Sequence, residues 1–126
     1  MNIILSIAAG GALGAVCRYG VNMGAVLVFG HGFPWGTLIV NIVGSFLMGA
    51  LVALFAHLGN PSQEARAFLT VGLLGAMTTF STFSLDTVTL FERGDYMITA
   101  VYTGASVFFS IAALFAGLFV VRQLVA

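Results

Sequence analysis

The sequence predicts an all-α membrane protein: four transmembrane helices with a break in the third, forming a single domain over residues 1–126. Three observations predict it. First, 60% of the 126 residues are hydrophobic and only 6% are charged, with a mean hydropathy of +1.12. A soluble domain carries about 25% charged residues, because something must face water. Second, the apolar residues fall into four segments, Ile3–Phe29, Thr37–Leu58, Ala67–Val88 and Met97–Val121. Each reaches the ~20 residues that a spanning helix needs. Third, Gly75-Ala76-Met77-Thr78-Thr79-Phe80-Ser81-Thr82-Phe83-Ser84 interrupts the third segment with Ser, Thr and Gly where a lipid-facing helix would carry Leu or Ile. Backbone at membrane depth leaves helical geometry only where it is buried in protein or lines a polar cavity.

Charge and cysteine content exclude several classes. The basic residues are Arg18, Arg66, Arg93 and Arg122, and the formal net charge is zero. No basic patch supports nucleic-acid binding. The single Cys17 allows neither an internal disulfide nor a cysteine-based metal site. The first charge is Arg18, so the N-terminus does not read as a cleaved signal peptide.

Short connections containing Gly and Pro separate the segments, and Trp35 and Tyr96 stand where interfacial aromatics belong. Pro61-Ser62-Gln63 reads as the lead-in to the third helix. In the first helix, Gly10 and Gly14 form a small-xxx-small face suited to close helix contact. Arg18 has two readings. It snorkels if that helix ends near Asn22; otherwise it faces a water-filled entrance, where it attracts an anion or orders carbonyls. In the second helix Thr37, Asn41 and Ser45 share one face at i, i+4 and i+8. Asn41 either bonds a neighbouring helix or donates its NH₂ to an anion.

In the third helix, Phe80 and Phe83 fall on one face, each flanked by hydroxyls. The hydroxyls can bond carbonyls one turn back, as Ser and Thr often do in membrane helices, or they can line a small-solute path. Asp86 is the acid within the apolar segments, read as a salt-bridge partner or as a proton or cation carrier. The fourth helix repeats a polar stripe, Tyr102, Ser106 and Ser110, with Gly104 and Gly117 giving close approach on other faces. Converging stripes of hydroxyls and one amide suit a narrow path for a small ion. An even number of spans puts Arg66 and Arg122 on one side and Arg93 on the other. So weak a bias scarcely fixes orientation, and it suggests insertion both ways up with pairing as an antiparallel dimer.

These residues resemble the Fluc (CrcB) fluoride channels over nearly the whole chain. The likeness is carried by Gly10-Gly11-Ala12-Leu13-Gly14-Ala15 with Arg18-Tyr19, by Gly36-Thr37 with Asn41 and Gly44-Ser45, by Gly75 through Ser84, and by the Tyr102 stripe. The pattern departs at Asp86, where many members carry Glu. The resemblance implies a dual-topology antiparallel homodimer in a bacterial plasma membrane, exporting fluoride passively through two pores along the subunit interface. Phe80 and Phe83 would form an aromatic box and Asn41 would hydrogen-bond the anion. Ser81, Thr82, Ser84, Tyr102, Ser106 and Ser110 would supply a polar track, and Arg18 would lie by a vestibule. Carbonyls of Gly75 and Thr78 would hold a structural sodium ion (Na+) at the dimer axis. No enzymatic chemistry is implied.

Physical chemistry is compatible with that reading. Transferring a bare ion into a dry medium costs roughly tens of kcal/mol, so several donors must replace its water together. Aromatic rings present an electropositive edge to an anion, and unwound carbonyls suit a cation. Two other classes compete. A small dual-topology proton-coupled transporter of cationic compounds would depend on Asp86, whereas such proteins typically place their acid in the first helix. An assembly subunit would use its Ser and Thr only as helix–helix glue, at ~0.6 kcal/mol per bond.

Overall fold

The computed structural model describes residues 2–59 and 61–126. All regular structure among them is helical. α1 spans Ile3–Phe29 and α2 spans Trp35–Leu58. The third span comprises α3 (Gln63–Arg66), a π-helical stretch (Ala67–Leu74), α4 (Gly75–Met77) and α5 (Phe80–Glu92). α6 runs Tyr96–Val125. Four stretches are long and apolar enough to cross a membrane: Ile3–Phe29, Trp35–Leu58, Gln63–Glu92 and Tyr96–Val125. The chain is a multi-pass membrane protein.

Local chemistry fixes the helix ends. The side chain of Asn2 accepts from the Ile4 N–H at 2.7 Å, and Ser62 Oγ accepts from the Ala65 N–H at 3.1 Å; each satisfies an amide that no earlier carbonyl can reach. Gly30 (φ 78°) stops α1, its N–H closing on the Val26 carbonyl at 2.8 Å. The helices overrun the apolar segments. α2 starts at Trp35, α5 runs to Glu92 and α6 to Val125. Hydropathy falls where polar residues begin, but the hydrogen-bonded ladder continues through them into the interfacial zone.

α2 packs along α6, α1 packs on the π stretch and α4, and α5 closes on α6. Glycines set both major crossings. A methyl group at Gly49 would meet the Leu114 carbonyl, and one at Gly117 would meet the Phe46 carbonyl. On α1, a methyl at Gly10 would meet the Phe68 carbonyl and one at Gly14 the Leu73 carbonyl. This is the close contact expected of that pair. Gly104 differs from expectation, with nothing within 4 Å of where its Cβ would stand. Two small buried clusters form the interior. Val40, Leu74 and Met77 make one, and Leu38, Phe83, Leu90 and Tyr102 make the other. Most remaining apolar side chains face outward, as a solvent of lipid permits.

Gly117→Val should lower the unfolding free energy in detergent by roughly 1–3 kcal/mol, because the carbonyl it meets cannot step aside without moving α2. Gly24→Ala, where nothing lies within 4 Å, should be neutral or stabilising by up to about 1 kcal/mol. Thermal unfolding of the two purified variants checks both, and equal melting would contradict the close α2–α6 crossing.

Candidate functional site

The site grows from two residues. Thr78 (φ −87°, ψ 156°) and Thr79 (φ −155°, ψ 121°) are extended, between α4 and α5. Extended backbone at this depth leaves amides and carbonyls without their helical partners, and side chains supply replacements. Asn41 Nδ2 donates to the Thr79 carbonyl at 3.0 Å, and Asn41 Oδ1 accepts from the Thr79 N–H at 2.8 Å. The two bonds make a reciprocal amide pair, the side-chain equivalent of one rung of a β-ladder. Thr79 Oγ1 in turn accepts from the Thr82 N–H at 3.0 Å and caps α5. Both readings of Asn41 therefore bear on the same group. Its oxygen and one N–H serve the backbone, and one N–H remains.

Beside this junction lies a cavity of about 360 Å³, lined by Asn41, Thr78, Phe80, Phe83, Ser106 and Ser110 among others. The stripes on α2 and α6 thus meet the third span in space. The Phe80 and Phe83 rings lie 5.4 Å apart, tilted by 56°. Phe83 is 9% exposed and Phe80 is 77% exposed. Ser106 Oγ and Ser110 Oγ are buried without a hydrogen-bond partner among the described residues. Buried hydroxyls normally find one, and both of these line the cavity.

Other site candidates stand elsewhere. Tyr102 is 0% exposed, and its hydroxyl donates to Asp86 Oδ2 at 3.0 Å. Its ring packs on Phe83, with centroids 5.4 Å apart. Asp86 thus takes a phenol as partner, not the cation that a salt bridge would require. A second cavity, of about 270 Å³, is lined by Asp86, Thr82, Thr37, Asn22, His31 and Arg93, with others. Tyr102 bridges the two, touching Phe83 at the wall of one and Asp86 at the wall of the other. α1 continues to Phe29, so Arg18 does not sit at a helix end. It is half-buried and donates from Nη1 to Thr82 Oγ1 at 3.4 Å.

Several hydroxyls follow the plainer reading. Ser84 Oγ donates to the Phe80 carbonyl at 3.0 Å and Thr78 Oγ1 to the Leu74 carbonyl at 2.8 Å, each one turn back. Ser81 is exposed, its Oγ 3.3 Å from Thr79 Oγ1. Gly75 is exposed and lines neither cavity. None of Thr79, Asn22, His31 and Arg93 stands among the site residues read from the sequence. Thr79 is a favoured N-cap residue type, but Thr82 stands where a capping box would carry Glu or Gln, so its sequence signal is weak. The other three come from α1 and from the loops, and no periodicity points to them.

The hydrogen-bond inventory predicts opposite outcomes for two neighbours on α6. Tyr102→Phe removes the donor to a carboxylate and should cost about 1.5–3 kcal/mol of stability. Ser106→Ala removes a buried hydroxyl with no partner among the described residues and should be neutral or stabilise by up to about 1 kcal/mol. Denaturation of the two purified variants measures the difference, and equal losses would show that Ser106 has a partner in the folded protein.

Comparison with known proteins agrees with these motifs. Residues 5–118 match the family model described as CrcB-like protein, Camphor Resistance (CrcB). The chain is 52% identical over 127 residues to a protein of Caulobacter vibrioides, covering 100% of both. It is 56% identical over 124 residues to one of Agrobacterium fabrum, covering 98% of each. It is 55% identical over 119 residues to one of Cereibacter sphaeroides, covering 94% of each. All three are named fluoride-specific ion channel FluC. With its motifs, its four spans and a family match across nearly its full length, the chain belongs to the CrcB family.

Proposed function

We propose that the chain is a fluoride-selective passive channel exporting fluoride across a bacterial plasma membrane. The names of its relatives support the ion, and one observation supports the route. The cavity beside Thr78–Thr79 joins Phe80 and Phe83 to two buried hydroxyls that lack partners among the described residues. A small anion entering a dry space needs donors in place of its water, and Ser106, Ser110 and the remaining N–H of Asn41 are donors. Ring edges turned to the ion would add positive potential without admitting water. From there the route passes Tyr102 towards the second cavity, where Thr82 and Arg93 stand and Arg18 approaches through Thr82. Ser81 and Ser84 extend the polar track along α5. No group-transfer step is involved.

The working unit in this reading is an antiparallel, dual-topology homodimer with two pores along the subunit interface. Phe80 supports it. An aromatic ring 77% exposed beside a cavity that holds two unpaired hydroxyls is half of an enclosure, and a second copy would supply the other half. The near balance of Arg66 and Arg122 against Arg93 favours insertion both ways up. The extended Thr78–Thr79 pair serves as the break in the third membrane helix.

The carbonyls of Gly75 and Thr78 fit a structural sodium ion at the dimer axis. In an α-helix they would accept from the N–H groups of Thr79 and Thr82. Those amides are engaged by Asn41 Oδ1 and Thr79 Oγ1 instead, which leaves the two oxygens available to a hard cation. Bound there, the ion would contribute positive charge in low dielectric near an anion path.

Fluoride efflux from liposomes holding only this protein, read against chloride, tests the proposal. Fast fluoride release without chloride release and without a proton gradient is expected. Release that tracks a proton gradient and fails in Asp86→Asn would favour proton-coupled transport. Phe80→Ile and Phe83→Ile should each slow efflux by at least about tenfold, some 1.4 kcal/mol of barrier, with dimers intact. Asn41→Asp should block conduction, because it replaces the spare donor with negative charge in the anion's path.

A further inference from the structure

The oxygens proposed to face sodium flank the extended pair Thr78–Thr79, where two side chains hold the amides that would close on them in a continuous helix. The donor for the Gly75 carbonyl is the Thr79 N–H, which goes to Asn41 Oδ1 at 2.8 Å. The donor for the Thr78 carbonyl is the Thr82 N–H, which goes to Thr79 Oγ1 at 3.0 Å. We infer that Asn41 and Thr79 are positioning residues for the cation site: by retaining these two amides they keep the Gly75 and Thr78 carbonyls open to sodium. The inference rests on the sodium reading above and extends it to residues that do not touch the ion.

The physical argument turns on what the amides do when released. An unpaired N–H at membrane depth costs several kcal/mol, so it does not stay unpaired. Without Asn41 the nearest orthodox acceptor for the Thr79 N–H is the carbonyl one turn back, that of Gly75. Without the Thr79 hydroxyl, the Thr82 N–H in the first turn of α5 loses its cap, and its helical acceptor, once Thr79 turns helical, is the Thr78 carbonyl. Either closure converts a cation-facing oxygen into one more helical bond. The second Asn41 contact, from Nδ2 to the Thr79 carbonyl at 3.0 Å, fixes the Thr79 peptide plane from its other side. Asn41 also lines the 360 Å³ cavity. One side chain therefore borders the anion route with its amide and governs the cation site through backbone.

Substitutions separate these roles. Asn41→Leu removes both contacts to Thr79, while Asn41→Asp keeps an acceptor for the Thr79 N–H and adds charge to the anion cavity. Thr79→Val removes the hydroxyl, and Thr79→Ser restores it.

The test is the thermal unfolding midpoint of the purified dimer as sodium replaces N-methylglucamine at constant ionic strength, with potassium as a control. The readout is the sodium concentration at half effect. Asn41→Leu and Thr79→Val should raise it by about 10–100-fold, as expected for residues that orient metal ligands. Thr79→Ser should stay near wild type, and Asn41→Asp should retain its sodium response although conduction is blocked. A wild-type sodium response in both Thr79→Val and Asn41→Leu would overturn the inference and leave the sodium reading standing. If Asn41→Leu fails to fold, Thr79→Val decides alone. A wild-type protein indifferent to sodium would overturn both.

Discussion

Hydrocarbon offers no hydrogen bonds, and that constraint shapes the centre of this protein. Thr78 and Thr79 are extended within a span that the bilayer surrounds, and every amide there must find a partner from the protein itself. Asn41 provides both halves of a peptide-like pair to Thr79. Its reach requires α2 to lie close. Gly44, one turn further along α2, permits this: a methyl there would meet Thr78 Cγ2 and stand 3.2 Å from Met77 Cε. A larger residue at Gly44 would push α2 away and take Asn41 with it. The π stretch upstream follows the same logic. It sits against the glycine face of α1, where Gly72 and Gly10 bring two backbones together. Altered helical register just before the extended pair lets the chain enter it without a proline.

Polar groups in the bundle divide by what they bond. Thr70, Thr78, Ser84, Thr87, Thr89 and Thr99 each return a proton to the carbonyl one turn back, and so conceal their polarity within their own helix. Ser106 and Ser110 do not. Sequence spacing alone cannot separate the two groups, because every Ser and Thr on a helix has the same carbonyl within reach. Rotamer and neighbours decide, and α6 aims these two towards the third span.

The four spans were legible because hydropathy is a sum over ~20 residues and tolerates local noise. The α1 glycine face was legible for a similar reason, since a spacing of four fixes a helix face whatever the neighbour is. Single contacts were not. Gly104 and Gly117 look alike in sequence, yet only Gly117 meets another backbone within the subunit. Asp86, which the sequence leaves open between a salt-bridge partner and a proton or cation carrier, takes Tyr102, sixteen residues on, because the α5–α6 hairpin brings the two helices face to face. The π register left no signal in the sequence, since its residues are ordinary apolar ones and the widening answers to a partner helix.

The same division explains how charge is placed along the proposed route. Among the described residues no ionisable one lines the cavity beside Thr78–Thr79, whereas His31, Asp86 and Arg93 line the second cavity, next to the loops. An arginine beside the aromatic pair would hold a fluoride ion rather than pass it. At 4 Å and an effective dielectric of about 20, opposite charges attract by about 4 kcal/mol, enough to slow departure near a thousandfold. Hydroxyls, one amide N–H and ring edges bind more weakly and share the ion among several sites, and conduction needs an ion that can leave as readily as it enters. Formal charges at the second cavity, beside the loops, can then attract or sort ions nearer to water, which screens them. The carboxylate of Asp86 fits this arrangement, because the Tyr102 hydroxyl donates to it and Arg93 lines the same cavity, so the anion meets a partly compensated charge.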